Sequence, residues 1–212
     1  MQREIAGLKI FRFSKCSDLE KKMYYSLVSN FLSQLVLEYP GFISWYNKLF
    51  TAQNELIFGR EILIAEINYQ VAGVAILKND GIEKKICTLR VGRKYRNKGI
   101  GHKLMESSFE WLDSEKPMIT VRKSKYKYFD SMFKYYGFEL EQEAKRYYSF
   151  LSTELVFNGK LPQKQILLNR IEILDISQLC KMMIDSGKVD WDLLIERCIN
   201  VWVGREQKIL DY

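Results

Sequence analysis

The residues best suited to chemistry lie between Lys84 and Leu112. There a basic, glycine-containing stretch, Arg96-Asn97-Lys98-Gly99-Ile100-Gly101, separates a β-rich run from an amphipathic one. Glycines at 99 and 101 let a ligand approach the backbone with no Cβ in the way. The helix expected to start there offers unpaired N–H groups and the positive end of its dipole. With Arg93 and Lys94 just upstream, this is an anion site, most simply one for phosphate. Spacing excludes two phosphate motifs. A P-loop needs Lys and Ser/Thr directly after its second glycine, and here His102 follows Gly101. A dinucleotide fingerprint needs a small residue at 104, where Leu104 stands. An ordinary basic strand-to-helix turn would carry the same residues without binding anything.

Two elements must hold this turn. Ile86, Cys87, Thr88, Leu89 and Val91 suit a strand covered on both faces. From Ile100 the period changes: Ile100, Leu104, Met105, Ser108, Trp111 and Leu112 share one helical arc, with His102, Lys103, Glu106 and Glu110 opposite. Upstream, residues 5–14 read as a strand. Ser17 to Glu20 has capping-box form before a helix running through Met23, Leu27 and Phe31, with a break near Asn30 and an end at Pro40-Gly41. Phe42, Trp45, Tyr46 and Phe50 suit a second helix. Residues 57–67 and 71–77 read as a hairpin joined near Asn68-Tyr69, and Asn79-Asp80-Gly81 turns into the central strand. After the glycine-turn helix, Pro117 to Arg122 is a short strand, parallel to the central one because a helix joins them. A helix over 126–138, with Tyr128, Phe129, Met132, Phe133 and Tyr136 on one face, stops at Gly137-Phe138. Residues 139–157 supply a closing hairpin.

Arg-x-x-Gly-x-Gly after a strand ending Leu-x-Val resembles the acetyl-CoA signature of the GCN5-related N-acetyltransferase (GNAT) superfamily, Gln/Arg-x-x-Gly-x-Gly/Ala. The helix ending Gly137-Phe138 is a second match. The resemblance is specific from Ile57 to Phe138 and stops near Asn158. It implies an α/β (α+β) fold in residues 1–158: a mixed central sheet, antiparallel N-terminal strands then a parallel splayed pair, flanked by helices. It also implies acetyl-CoA as cosubstrate. Its pantetheine arm would lie on backbone groups of Leu89 and Val91, and its pyrophosphate in the turn from Arg96 through Asn97, Lys98, Gly99, Ile100 and Gly101 to His102. Lys123, Lys125 and Lys127 could reach the ribose phosphate, although a solvated basic turn explains them as well.

Acyl transfer to an amine needs a neutral nucleophile and a path for protons. Relatives often carry a tyrosine four residues before the terminal glycine of the second helix, where this chain has Phe133. Histone-type members instead use a glutamate on the first central strand, at a position that here is Lys85. The candidates left are Tyr126, Ser131 and Tyr135 as donors and Glu83 as base. Cys87 could in principle accept an acyl group, but the single histidine, His102, faces the phosphate end, and a buried strand cysteine is the simpler account.

Composition bounds the rest. The chain has 212 residues, 47% of them hydrophobic, enough for one core with an appendage. Residues 159–212 read as that appendage, a helical C-terminal extension. Asp175 to Gln178 caps one amphipathic stretch and Asp190 opens another, each needing cover from the core or from a twin subunit in a homodimer. No apolar h-region follows Met1, and no run approaches the roughly 18 residues of a membrane span. Four scattered cysteines without Cys-x-x-Cys suit reduced thiols in the cytoplasm and argue against a metal site. The net charge of +7 suits CoA and would also suit nucleic acid, so tRNA joins small amines and proteins as an acceptor to consider. The expected function is N-acetyl transfer to a primary amine. The rival class is a catalytically degenerate module that keeps the CoA or nucleic-acid surface alone.

Overall fold

Local turn chemistry builds the sheet. Asn68 and Tyr69 both take positive φ, 48° and 60°, which a two-residue hairpin turn of the primed type demands. They join Arg60–Ile67 to Gln70–Asn79, strands β2 and β3, in a register running from Ile67 opposite Gln70 to Arg60 opposite Lys78. At the next turn Asp80 accepts from the N–H groups of Ile82 and Glu83, and Gly81 takes φ 85°, leading β3 into β4, Lys84–Val91. The structure, a computed structural model, describes residues 5–39, 41–148 and 152–162, all within the unit Met1–Pro162. Strands β1 (Leu8–Arg12), β5 (Met118–Arg122), β6 (Leu140–Lys145) and β7 (Thr153–Phe157) complete a sheet of order β1-β2-β3-β4-β5-β7-β6. Among the described residues only β4 and β5 pair in parallel. This is the mixed sheet expected, with antiparallel strands first.

Helices cover both faces. On one, α3 (Ile100–Leu112) and α4 (Asp130–Tyr135) pack on Leu63, Ala75, Leu77, Ile86 and Val121. The buried arc of α3 is Ile100, Leu104, Met105, Ser108 and Leu112, the periodicity read from the sequence. On the other face, α1 (Asp18–Leu32) and α2 (Phe42–Asn47) pack on Ile62, Ile64, Val74 and Ile76. The capping box of Ser17 and Glu20 is present. Met23 and Leu27 mark the helix in sequence but stand partly exposed, and Tyr24, Val28 and Leu32 form the buried stripe. The break after Asn30 is a passage into a 3-10 turn over Ser33–Leu37.

Two elements are shorter than their patterns. The first strand gives way at Phe13 to a 3-10 turn, and the expected helix over 126–138 is a 3-10 turn, Lys123–Tyr128, followed by α4. Tyr128 therefore leaves the apolar face and is exposed. Helix α4 ends as its sequence predicts. Phe138 N–H donates to the Phe133 carbonyl at 2.9 Å and Gly137 N–H to the Lys134 carbonyl at 3.2 Å, with Gly137 at φ 64° and the Phe133 and Phe138 rings stacked at 5.1 Å. A Cβ at Gly137 would meet nothing within 4 Å, so Gly137→Ala should cost only the left-handed backbone penalty, about 1–2 kcal/mol by urea denaturation.

Leu161 is buried against Met118, Ala144 and Val156, and its N–H donates to Gln142 at 2.8 Å. The helices expected beyond it, and any dimer contact through them, lie outside the described residues.

Candidate functional site

The sheet opens where the sequence places the anion turn. β4 pairs with β5 only at Lys85 opposite Met118 and Ile86 opposite Ile119. On its other side β4 stays paired with β3 as far as Val91 opposite Gly73. Among the described residues β4 thus has no partner strand on its β5 side from Cys87 onward, and Leu89 and Val91 border a gap. A register shift near Thr88 turns both side chains toward the α3 face.

The turn lies at the end of that gap. After a 3-10 turn at Arg93–Tyr95, Asn97 takes φ 58° and Gly99 φ 83°, curling the backbone into the start of α3. Ile100, Gly101 and His102 occupy the first turn of α3, whose N–H groups have no intrahelical acceptor. Such a row of donors at the positive end of a dipole is an anion cradle. Cβ positions built at Gly99 and Gly101 come no nearer than 3.9 and 3.8 Å to other atoms, so these glycines leave space at the surface of the turn. Arg96 folds back, its Nε donating to the Val91 carbonyl at 3.2 Å and its guanidinium 5.6 Å above the Tyr128 ring. His102 turns sideways, with Nδ1 3.1 Å from the Tyr136 hydroxyl and its ring edge-on to Tyr135.

The four candidate catalytic side chains are not brought together. Glu83 precedes β4, at the opposite end of the strand from Leu89, and pairs with Lys78 at 2.9 Å and Lys85 at 3.9 Å. Ser131 is exposed on α4, and Tyr135 is exposed beside His102. Tyr126 lies in the 3-10 turn that follows β5 and packs on Phe133 and Phe157; a hydrogen bond to the Asp130 carboxylate, then burial, raises its pKa. Phe133 is walled into the core. Of the three lysines, Lys125 pairs with Glu38 at 3.1 Å and Lys123 with Glu143 at 2.9 Å.

The opposite face of the sheet holds groups that sequence reasoning missed. Glu154 on β7 is fully buried. It accepts from the Tyr39 hydroxyl at 3.4 Å and from Ser152 at 3.3 Å, and burial raises its pKa, with Arg122 nearby opposing. Lys85, also buried, donates to the Tyr148 hydroxyl at 3.3 Å. Arg60 donates to the Cys87 sulfur at 3.4 Å, and burial pushes that thiol up. Tyr39 belongs to a strap that crosses the gap. Phe31 and Gln34 hold Arg90 of β4, Glu38 holds Lys125 just past β5, and Tyr39 reaches β7. No local pattern announces a contact between residues 39 and 154.

A family model described as an acetyltransferase (GNAT) domain matches residues 44–149, or 106 of the 212. No curated protein matches the chain in sequence. Among solved structures, the NatC complex bound to Gag peptide and CoA is 19% identical, with a TM-score of 0.53 over 70% of this chain and 96% of its own. A GNAT family acetyltransferase from Elizabethkingia anophelis, with acetyl-CoA bound, is 16% identical, with a TM-score of 0.51 over 72% and 97%. At such identities the likeness concerns the fold. A putative streptothricin acetyltransferase from Bacillus anthracis str. Ames, in complex with acetyl coenzyme A, is 20% identical over 47% of this chain; the match spans only 62% of its own length, with a TM-score of 0.41.

Proposed function

This chain belongs to the GNAT acetyltransferase family, and from that premise we propose that it transfers the acetyl group of acetyl-CoA to a primary amine. The observation that carries the reading is that the gap between β4 and β5 runs into the donor-rich turn at Asn97 to His102. N–H groups there would hold the pyrophosphate, and backbone groups of Leu89 and Val91 would hold the pantetheine arm. Arg96, kept against the Val91 carbonyl, adds positive charge where the two meet. Acetyl-CoA supplies an activated thioester. An amine entering the gap in neutral form can attack its carbonyl, and a thiolate whose conjugate acid has a pKa near ~8.5 leaves with modest help. Tyr126 is the hydroxyl we place as that help, because the 3-10 turn that carries it follows β5. The rate should climb with pH to the amine's own pKa and then level.

The thiol of Cys87 plays no covalent part. It is half-buried, its pKa is pushed up, and its sulfur is engaged by Arg60. Cys87→Ala should keep acetyl transfer within about threefold, with no acetylated protein detected by mass spectrometry after quenching, since thiolate nucleophiles need a lowered pKa.

The deciding experiment measures free thiol released from acetyl-CoA against spermidine, a lysine-containing peptide, peptides with free N-termini and an aminoacyl-tRNA. Turnover with any of them supports transfer, and the best of them names the acceptor class. Calorimetric binding of acetyl-CoA with no turnover on the whole panel would favour the second reading, a CoA-binding module. Phe133, locked in the core where relatives often carry a tyrosine, is the observation on that side.

A further inference from the structure

We propose that Glu154, acting through the hydroxyl of Tyr39, takes the proton released by the acceptor amine. The inference rests on the transfer reading above. Three carboxylates of the described residues are buried: Glu61, Glu66 and Glu154. Glu61 is tied down by Ser14 N–H and hydroxyl and by the Ile62 N–H, and Glu66 by the Tyr24 hydroxyl, all far from the gap on the β1-β2-β3 side. Glu154 differs in position and in partners. It stands opposite Arg122 of β5, four residues past the point where Met118 pairs with Lys85 of β4, and thus about level with Leu89 at the gap. Its hydroxyl partners are long, at 3.3 and 3.4 Å, and one of them, Tyr39, sits on the strap held at both sides of the gap by Arg90 and Lys125. A carboxylate buried this fully takes a proton through a hydroxyl that donates to it, as Tyr39 does.

The step balances as follows. The amine lone pair forms the C–N bond to the thioester carbonyl carbon, and the C–S electrons leave with the thiolate. One N–H proton passes to the Tyr39 oxygen while the Tyr39 proton moves to the carboxylate of Glu154. Glu154 later returns the proton to solvent by the same hydroxyl. Among the described residues, the charged groups facing Glu154 are Arg122 on β5 and Glu38 on the strap, with Tyr39, Ser152 and Tyr148 as the hydroxyls. Burial outweighs the others and raises its pKa, the direction a general base requires.

The test compares wild type, Glu154→Gln and Tyr39→Phe in the thiol-release assay with the amine panel, alongside calorimetry with acetyl-CoA. Glu154→Gln keeps the shape and the bond from Tyr39 but cannot take a proton. It should lower kcat about a hundredfold or more with acetyl-CoA affinity unchanged, and should leave in the pH profile only the rise set by the acceptor amine. Tyr39→Phe, which keeps the ring, should lose about tenfold or more with an unchanged melting temperature. Glu154→Gln within about threefold of wild type would overturn the assignment while leaving the transfer reading intact. Should Glu154→Gln fail to fold, a folded Tyr39→Phe with full activity overturns it equally. A wild type that binds acetyl-CoA and consumes none of it would overturn the transfer reading, and this inference with it.

Discussion

Gly99→Glu should abolish acetyl-CoA binding while leaving the fold in place. A Cβ at Gly99 finds its nearest neighbour, Ile5, at 3.9 Å, so the variant suffers only left-handed strain at φ 83°, about 1–2 kcal/mol. Its carboxylate, however, points into the site we propose for the pyrophosphate. Two like charges about 4 Å apart at an effective dielectric near 20 repel by about 4 kcal/mol, or roughly a thousandfold in affinity. Wild type at a hundredfold excess of ligand over Kd should gain about 2.7 kcal/mol of stability, and the variant none. Gly99→Ala separates strain from charge and should keep most of the affinity. Gly101→Glu carries the charge without the strain, since Gly101 has no positive φ and its Cβ would make ordinary contacts with Val91 and Met132. Undiminished binding in both glutamate variants would remove the anion site from the turn.

Features set by neighbours in the chain were legible before the structure. The Asn68-Tyr69 hairpin, the Ser17 capping box, the arc of α3 and the Gly137-Phe138 stop depend on spacings of one to five residues, and the structure has each of them. The parallel pairing of β4 and β5 was legible because a helix must return the chain in the same direction. What failed to show in sequence depends on distant contacts. Met23 and Leu27 look like core, yet the face of α1 that docks on the sheet is chosen by Tyr24 and Val28. Tyr24 reaches Glu66 on β2. Glu83 looked like a base because it lies near the central strand, but the turn that carries it puts it at the wrong end of the strand for the gap. Glu154 and Tyr39, separated by 115 positions, meet only because β7 inserts between β5 and β6.

The insertion of β7 also explains what Phe133 does, and this leads to the second large effect. Its ring is 1% exposed and stacks on Phe138 at 5.1 Å, meets Phe157 of β7 edge-on at 4.7 Å and touches Phe129 at 5.5 Å, while its carbonyl closes the cap of α4. Phe133→Ala should therefore cost about 3–5 kcal/mol in urea denaturation, a large share of the 5–15 kcal/mol typical of a whole domain. Aromatic partners on three sides leave no room for the neighbours to collapse without moving α4 away from the gap. Phe133→Tyr asks a sharper question. Set among aromatic rings, the added hydroxyl should cost about 1–3 kcal/mol with no change in the rate of thiol release. A tyrosine tolerated without loss of stability, and raising the rate about tenfold or more, would show that position 133 still faces the thioester and that Tyr126 is not the acid.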